Sequence, residues 1–303
     1  MTSDADHILI IGAAGFIGQE LITALLLSSP SIHLTATDIT APPIPLQALS
    51  HASRVTSLHT DLTSSEAVAS LLTSQSRFNA IYLLHGIMSG GAEANLELVF
   101  PSSLAVYGPA APGQINTETT CPIPQSSYGA QKLIIETLLG DYSRRGLLDG
   151  RIVRLPTIIV RPGAPSAAAS SFASGIVRES LKGEENILPV GPELPMWVCS
   201  PKTVVKNLVD VKSIPHEKFG ISRVLNLPGV TVTVADILNA LEVVGGTEAR
   251  KLVREERSPQ IEAIVGSWPA YFNVSKALGL GLSQDGDLIT TVKDFAERLR
   301  ASV

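Results

Sequence analysis

Short apolar runs alternate with stretches of helical period through the first third of the chain. His7–Ile11, His33–Thr37, Val55–His59 and Ala80–Leu84 are runs of five residues bounded by turn formers, the pattern of buried strands. After the first run come Gly12, Gly15 and Gly18, with a helical stretch starting at Phe16. After the third, Thr63 or Ser64 is placed to cap a helix reaching about Gln75, with Glu66 near its N-terminal end. Strand and helix in alternation predict a parallel sheet covered on both faces. The alternation then breaks. Only HGIMSGGAEAN separates Leu84 from the next strand-like run, Leu96–Phe100. Parallel neighbours ordinarily need a crossover of about a dozen residues or more, usually a helix. This strand is therefore expected either to be joined by a bare loop or to be displaced.

Beyond it lie SSLAVYG, a loop carrying Pro109, Pro112, Pro122 and Pro124, and a helix from Tyr128 to about Arg145. Gly150–Leu155 reads as a strand with a turn-rich exit over Pro156–Pro165, followed by the amphipathic Ile176–Gly183. A helix over Ser200–Asp210, a strand over Arg223–Leu227 and a helix over Thr233–Val244 capped by Thr233 come next. A short helix follows Asn273. A last one, from about Asp287 to Arg300, carries an apolar stripe from Leu288 to Leu299. The fold class expected is α/β, a doubly wound parallel sheet of Rossmann type with a smaller C-terminal substrate lobe. Residues 1–160 with about 197–229 are assigned to the first domain, about 161–196 with 230–303 to the second.

Composition narrows the function classes. A net charge of −5 gives no electrostatic reason to expect nucleic acid or an anionic membrane. With 45% hydrophobic and 17% charged residues the chain suits a compact enzyme rather than a disordered segment. No apolar run is long enough to span a bilayer and no basic leader precedes the first strand, so a cytoplasmic location is expected. Two cysteines, Cys121 and Cys199, exclude a disulfide framework, and the six histidines show no metal-ligand spacing.

The glycine loop carries the first candidate chemistry. Gly12 permits a tight turn, Gly15 lets a ligand approach bare backbone, and Gly18 lets the helix sit close to its strand. The N–H groups opening the helix, at Phe16, Ile17 and Gly18, then face a pyrophosphate. Asp38, twenty residues past Gly18, ends the second apolar run, where a carboxylate accepts from ribose hydroxyls and repels a 2′-phosphate. That pair favours NAD over NADP. Asp61 ends the third run, within reach of an adenine edge or serving as a plain loop carboxylate. The second constellation is Tyr128 with Lys132, one helical turn apart on one face. A tyrosine is a poor base until a cation lowers its pKa; Lys132 and an oxidised nicotinamide are the expected cations, and Lys132 is also placed to hold nicotinamide ribose. Ser103 would hydrogen-bond the reacting oxygen. Its neighbour Ser102 competes for that part, because adjacent strand residues face opposite sides.

Together GAAGFIG, Asp38, Asp61–Leu62, SSLAVYG and YGAQK resemble the extended short-chain dehydrogenase/reductase superfamily, which includes nucleotide-sugar epimerases and dehydratases. The resemblance implies an NAD-binding doubly wound sheet and catalytic roles for Ser103, Tyr128 and Lys132. It also implies ribose binding by Asp38 and adenine contact at Asp61–Leu62. RLPTIIVRPGAPSAAASSFASGIVRESLKG, NLPG and SWPAYFNVSKALGLG are similar to the D-erythronate dehydrogenase-type branch, which implies a small sugar acid as substrate. A carboxylate needs a cation, and Arg178 is the candidate. Two further readings stay open: a sugar epimerase or dehydratase, and an NAD-binding protein without catalysis. The chain departs from the family between its fourth and fifth strands, where a long helix and an asparagine of the site are missing. His85 and Gly86 border that gap. The same helix forms half of the usual dimer face, so a homodimer is not assumed.

Overall fold

The computed structural model describes residues 6–73, 78–84, 97–165 and 168–301. In chain order the first half contains β1 (Asp6–Ile11), α1 (Phe16–Ser28), β2 (Ile32–Asp38), β3 (Val55–His59), α2 (Ser65–Thr73) and β4 (Ala80–Leu83). Next come β5 (Glu97–Ser103), α3 (Ser127–Arg144), β6 (Asp149–Leu155), β7 (Thr157–Ile158) and α4 (Ser171–Leu181). The second half holds β8 (Asn186–Leu188), β9 (Pro195–Cys199), α5 (Pro201–Lys212), β10 (Val224–Asn226), β11 (Val230–Thr233) and α6 (Val234–Lys251). The chain closes with β12 (Val253–Glu255), α7 (Pro259–Gly266), α8 (Ser275–Gly279) and α9 (Leu288–Ala301).

Seven strands form one sheet in the order β10-β6-β5-β4-β1-β2-β3. Its central run is the doubly wound order in which the chain reverses direction beside β1. β1 lies parallel to β2 with Ile10 opposite Ala36, and parallel to β4 with Ile10 opposite Tyr82. Because helices cover both faces, β1 reads as a continuous apolar run, and Ile8, Leu9 and Ile10 are fully buried. The shortened connection does not displace β5. It pairs parallel with β4, Ala80 opposite Glu97 and Tyr82 opposite Val99. Residues 85–96, including His85 and Gly86, lie outside the described residues.

The chain divides into two compact units, one made of Met1–Ser102, Gln131–Arg154 and Val205–Leu225, the other of Ser103–Ala130, Leu155–Val204 and Asn226–Val303. The expected boundaries differ from this in one consequential way: 103–130 groups with the second unit. The cause is packing. Leu104 leaves the end of β5 to join a cluster with Trp197 and Val274. Within the first unit Leu9, Ile81, Leu98, Phe100, Leu139 and Ile152 share one core. Within the second, Ile176, Val177, Ile237, Leu241, Val292 and Phe295 from α4, α6 and α9 share another. The stripe expected on the last helix is therefore a core face. The Thr233 cap is also present, as a reciprocal capping box with Asp236. The helix it opens runs past the expected end at Val244 and kinks at Gly246, whose φ is 77°.

One charged cluster is sealed inside the first unit. Glu136 on α3 receives Arg154 Nε at 3.0 Å and Nη2 at 2.6 Å, and also accepts from the Ser102 hydroxyl. Arg154 and Glu136 are each 5% exposed. Removing one member of such a pair strands the other charge without water, at a cost of about 3–5 kcal/mol. Glu136→Gln is therefore expected to lower the unfolding free energy by about that much in urea titration. A loss below about 1 kcal/mol would show that the pair is not sealed from solvent.

Candidate active site

One candidate cluster is built in the first unit, at the C-terminal ends of β1, β2 and β3. Gly12 turns the chain with φ of 85°. A Cβ on Gly18 would lie 2.6 Å from Ala13 Cα and from Gly12 O, so only glycine lets α1 start this close to the strand end. No side chain caps α1 at Gly15. The first helical bond runs from Gln19 N to Gly15 O at 3.0 Å, which leaves the N–H groups of Phe16, Ile17 and Gly18 without an intrahelical acceptor. Asp38, 9% exposed at the end of β2, ties the loop down by accepting from Ala14 N at 3.1 Å and from Ile39 N at 2.7 Å. Helix-opening donors with no acceptor among the described residues, beside a carboxylate, suit a pyrophosphate and a ribose, and so fit a dinucleotide. Asp61 stands one residue beyond Thr60, whose N–H donates to Asp38 O at 2.9 Å. Its Oδ1 accepts from Thr63 N at 2.9 Å and Thr63 Oγ1 at 2.7 Å, and these bonds hold its carboxyl below the usual range. Leu62 beside it packs against the core of the first unit.

A separate candidate cluster is built where β5 ends and α3 begins. Ser102 and Ser103 point opposite ways, as strand geometry requires. Ser102 is buried against Glu136. Ser103 Oγ accepts from Ala105 N at 3.1 Å and hydrogen-bonds the Tyr128 hydroxyl. Tyr128 opens α3, and the next residue, Gly129, is pressed onto the turn after β5: a Cβ there would sit 2.1 Å from Ala105 O. Burial raises the Tyr128 pKa, while the Ser103 hydrogen bond and the Arg161 charge pull against it, and burial prevails.

Lys132 lies one turn along α3. Its Nζ donates to Pro101 O at 2.8 Å and sits 4.7 Å from the Phe100 ring centre. Burial lowers its pKa to about 8 against the opposing charge of Glu136. Arg178, expected to meet a substrate carboxylate, is buried on α4. Its Nε donates to Glu179 Oε1 at 2.6 Å and its Nη1 to Arg161 O at 2.8 Å. One cation whose charge bears on Tyr128 is Arg161, which the sequence reading passed over. Among the described residues no carboxylate pairs with its guanidinium, and burial beside Arg178 lowers its pKa. The available signal was a charged residue immediately after an apolar strand exit, in IIVRPG. Burial elsewhere is structural. Cys199, at the end of β9, is held up in pKa by burial and Asp285, and Trp197 stacks at 5.0 Å on Phe272.

A doubly wound sheet with an open glycine turn at its first strand and a Ser–Tyr hydrogen bond after its fifth defines a Rossmann-type nucleotide-dependent enzyme. The comparisons agree. The model of the NAD dependent epimerase/dehydratase family matches residues 8–97 and 83–198, in two stretches that meet at the shortened connection. D-erythronate dehydrogenase of Cupriavidus necator is 39% identical over 326 residues, spanning 96% of this chain and 98% of that protein. D-erythronate dehydrogenase of Haemophilus influenzae is 35% identical, with the same coverage. The crystal structure of the nucleoside-diphosphate-sugar epimerase from Agrobacterium tumefaciens superposes with a TM-score of 0.87 and 32% identity, over 99% of this chain and 96% of that one. The chain belongs to the NAD dependent epimerase/dehydratase family, and its cofactor is NAD.

Two measurements test this geometry. Gly129→Ala is expected to destabilise the chain by about 1–3 kcal/mol, the usual cost of overpacking, because Ala105 O is backbone and cannot swing aside. An unchanged denaturation midpoint would mean that the turn yields. The second concerns Lys132, which releases its proton at about pH 8 when folded and at the ordinary 10.5 when unfolded. Between those values the unfolded chain binds more protons, so this group's contribution to stability rises with pH. The stability of the parent relative to Lys132→Met should therefore increase from pH 8 to 10.5 in cofactor-free protein. A flat or falling difference would contradict a buried, depressed lysine.

Proposed function

We propose that this chain is a dehydrogenase that oxidises a secondary alcohol on a small sugar acid of the D-erythronate kind. The observation that carries the reading is the hydrogen-bonded Ser103–Tyr128 pair with the Arg161 charge beside it, at the start of the helix that carries Lys132. The names of the relatives at 39% and 35% identity support the substrate class. NAD+, when bound, supplies the hydride acceptor. Gly12, Gly15, Gly18 and the N–H groups of Phe16 and Ile17 would hold its pyrophosphate, Asp38 its adenosine ribose, and Asp61–Leu62 the adenine edge.

Tyr128 takes the proton of the substrate hydroxyl. Ser103 donates a hydrogen bond to the same oxygen and keeps it in line with the phenol. Lys132 adds a positive charge on the same helix face and holds the nicotinamide ribose. The Ser103 bond and the Arg161 charge already act to lower the phenol pKa, and a bound cationic nicotinamide acts in the same direction. Arg161 receives the carboxylate of the acid. Arg178, through its bond to Arg161 O, positions that residue.

A second reading, sugar epimerase, is favoured by the name of the Agrobacterium structure at 32% identity. The two differ in product: a dehydrogenase releases NADH, whereas an epimerase returns NAD+ unchanged. With C4 sugar acids as substrates, stoichiometric NADH release is expected. Tyr128→Phe should lose about 10²–10⁴ of kcat while still binding NAD+. Arg161→Gln should raise KM for the acid by about 10- to 150-fold, the worth of a hydrogen bond to a charged group. Equal kcat in parent and Tyr128→Phe would overturn the proton-transfer assignment, and turnover of a sugar without free NADH would favour the epimerase.

A further inference from the structure

Lys132 and Glu136 lie one turn apart on one face of α3 and are 9% and 5% exposed. That face rests on the end of β5, and the residues that meet there all belong to the first unit. Two consecutive β5 residues receive it. The Pro101 carbonyl accepts from Lys132 Nζ at 2.8 Å, and the Ser102 hydroxyl donates to Glu136 Oε1. From β6, Arg154 grips both oxygens of Glu136, with Nε at 3.0 and 3.2 Å and Nη2 at 2.6 Å. Contacts from two strands thus fix the carboxylate in one place. A sealed ion pair is weak evidence for stability, because packed apolar residues of the same volume often serve as well. Its position along α3 suggests a second use. A buried ammonium is costly unless an opposite charge offsets the water it has lost. The Pro101 carbonyl and the Phe100 ring are neutral partners for Lys132. Glu136 brings a full negative charge to the same face and works against the effect of burial on that lysine. Arg154 faces Glu136 from β6, and Tyr128 is a further titratable group, one turn earlier on α3.

We infer that Glu136 is a positioning residue for Lys132: clamped by Arg154 and Ser102, its carboxylate keeps the ammonium charged and seated on the Pro101 carbonyl. The inference rests on the reading of Lys132 as the group that holds the nicotinamide ribose only for its consequence, the pH range over which NAD+ is held. Arg154 and Ser102 then act through Glu136 by fixing its rotamer.

The test follows the side-chain resonance of Lys132 against pH in the full, cofactor-free chain carrying isotope-labelled lysine, assigned by its absence from Lys132→Met. The parent should titrate at about pH 8. Glu136→Gln should lower that midpoint by about one pH unit or more, the usual effect of losing a neighbouring opposite charge. Glu136→Asp, which keeps the charge, should recover most of the loss. Because Glu136→Gln strands the Arg154 charge, Glu136→Gln/Arg154→Met is the second variant; it leaves a neutral pair and should shift the midpoint in the same direction. Ser102→Ala removes a hydrogen bond but no charge and should keep the parent midpoint. NAD+ affinity, measured by calorimetry, should begin to fall at a lower pH in the double variant than in the parent. The inference is overturned if the resonance is unmoved in both Glu136→Gln variants, or if Ser102→Ala shifts it as far as they do. A shifted resonance with an NAD+ affinity indifferent to pH upholds the part played by Glu136 and removes Lys132 from the cofactor role proposed above.

Discussion

The backbone approach between Gly129 and Ala105 sets the geometry on which the candidate site depends. A helix and a strand-end turn meet with no side chain between them, and that contact decides where the first turn of α3 lies. Tyr128 is carried on that turn, and Ser103 is two residues before the carbonyl it rests on. A hydrogen bond between two flexible side chains is worth only about 1 kcal/mol in itself. Here both partners are carried by backbone that cannot drift apart, so the bond becomes a fixed feature of the chain. The same logic holds after β1, where Gly18 packs α1 against the loop that Asp38 ties down.

The two serines illustrate how one alternation serves two purposes. Ser102 turns inward to the Glu136–Arg154 pair and Ser103 turns outward to the phenol. A slip of one residue in β5 would exchange these roles, and the pairing of β5 with β4 forbids the slip. That register survives a connection too short for the usual covering helix. Parallel pairing is held by the apolar side chains of β4 and β5 on both faces, not by what joins them.

Three buried cations each have a defined neighbour. Arg154 has Glu136, Lys132 has a carbonyl, and Arg178 has Glu179 and a second carbonyl. Arg161 stands out because its charge bears on the Tyr128 phenol and no carboxylate among the described residues pairs with it. An acid substrate would complete that pairing, which links the electrostatics of the site to the substrate class proposed for it. Near the site α3 also leaves Ile134, Leu138 and Tyr142 exposed at intervals of four.

The sheet was legible in the residues because strand runs, glycine punctuation and caps are local. Val55–His59 matches β3 residue for residue, and Thr233 and the Ser64 region cap the helices expected of them. The glycine loop with Asp38 was legible for the same reason, since a tight turn and a carboxylate twenty residues on follow from backbone and spacing. Tertiary structure alone decided the rest. It placed 103–130 with the second unit, set Ser103 rather than Ser102 beside the phenol, and brought the Arg161 charge to bear on Tyr128 while turning Arg178 toward Glu179 and the Arg161 carbonyl. Those outcomes depend on which distant segments share a core and on how burial weighs against charge. No window of neighbouring residues contains either quantity.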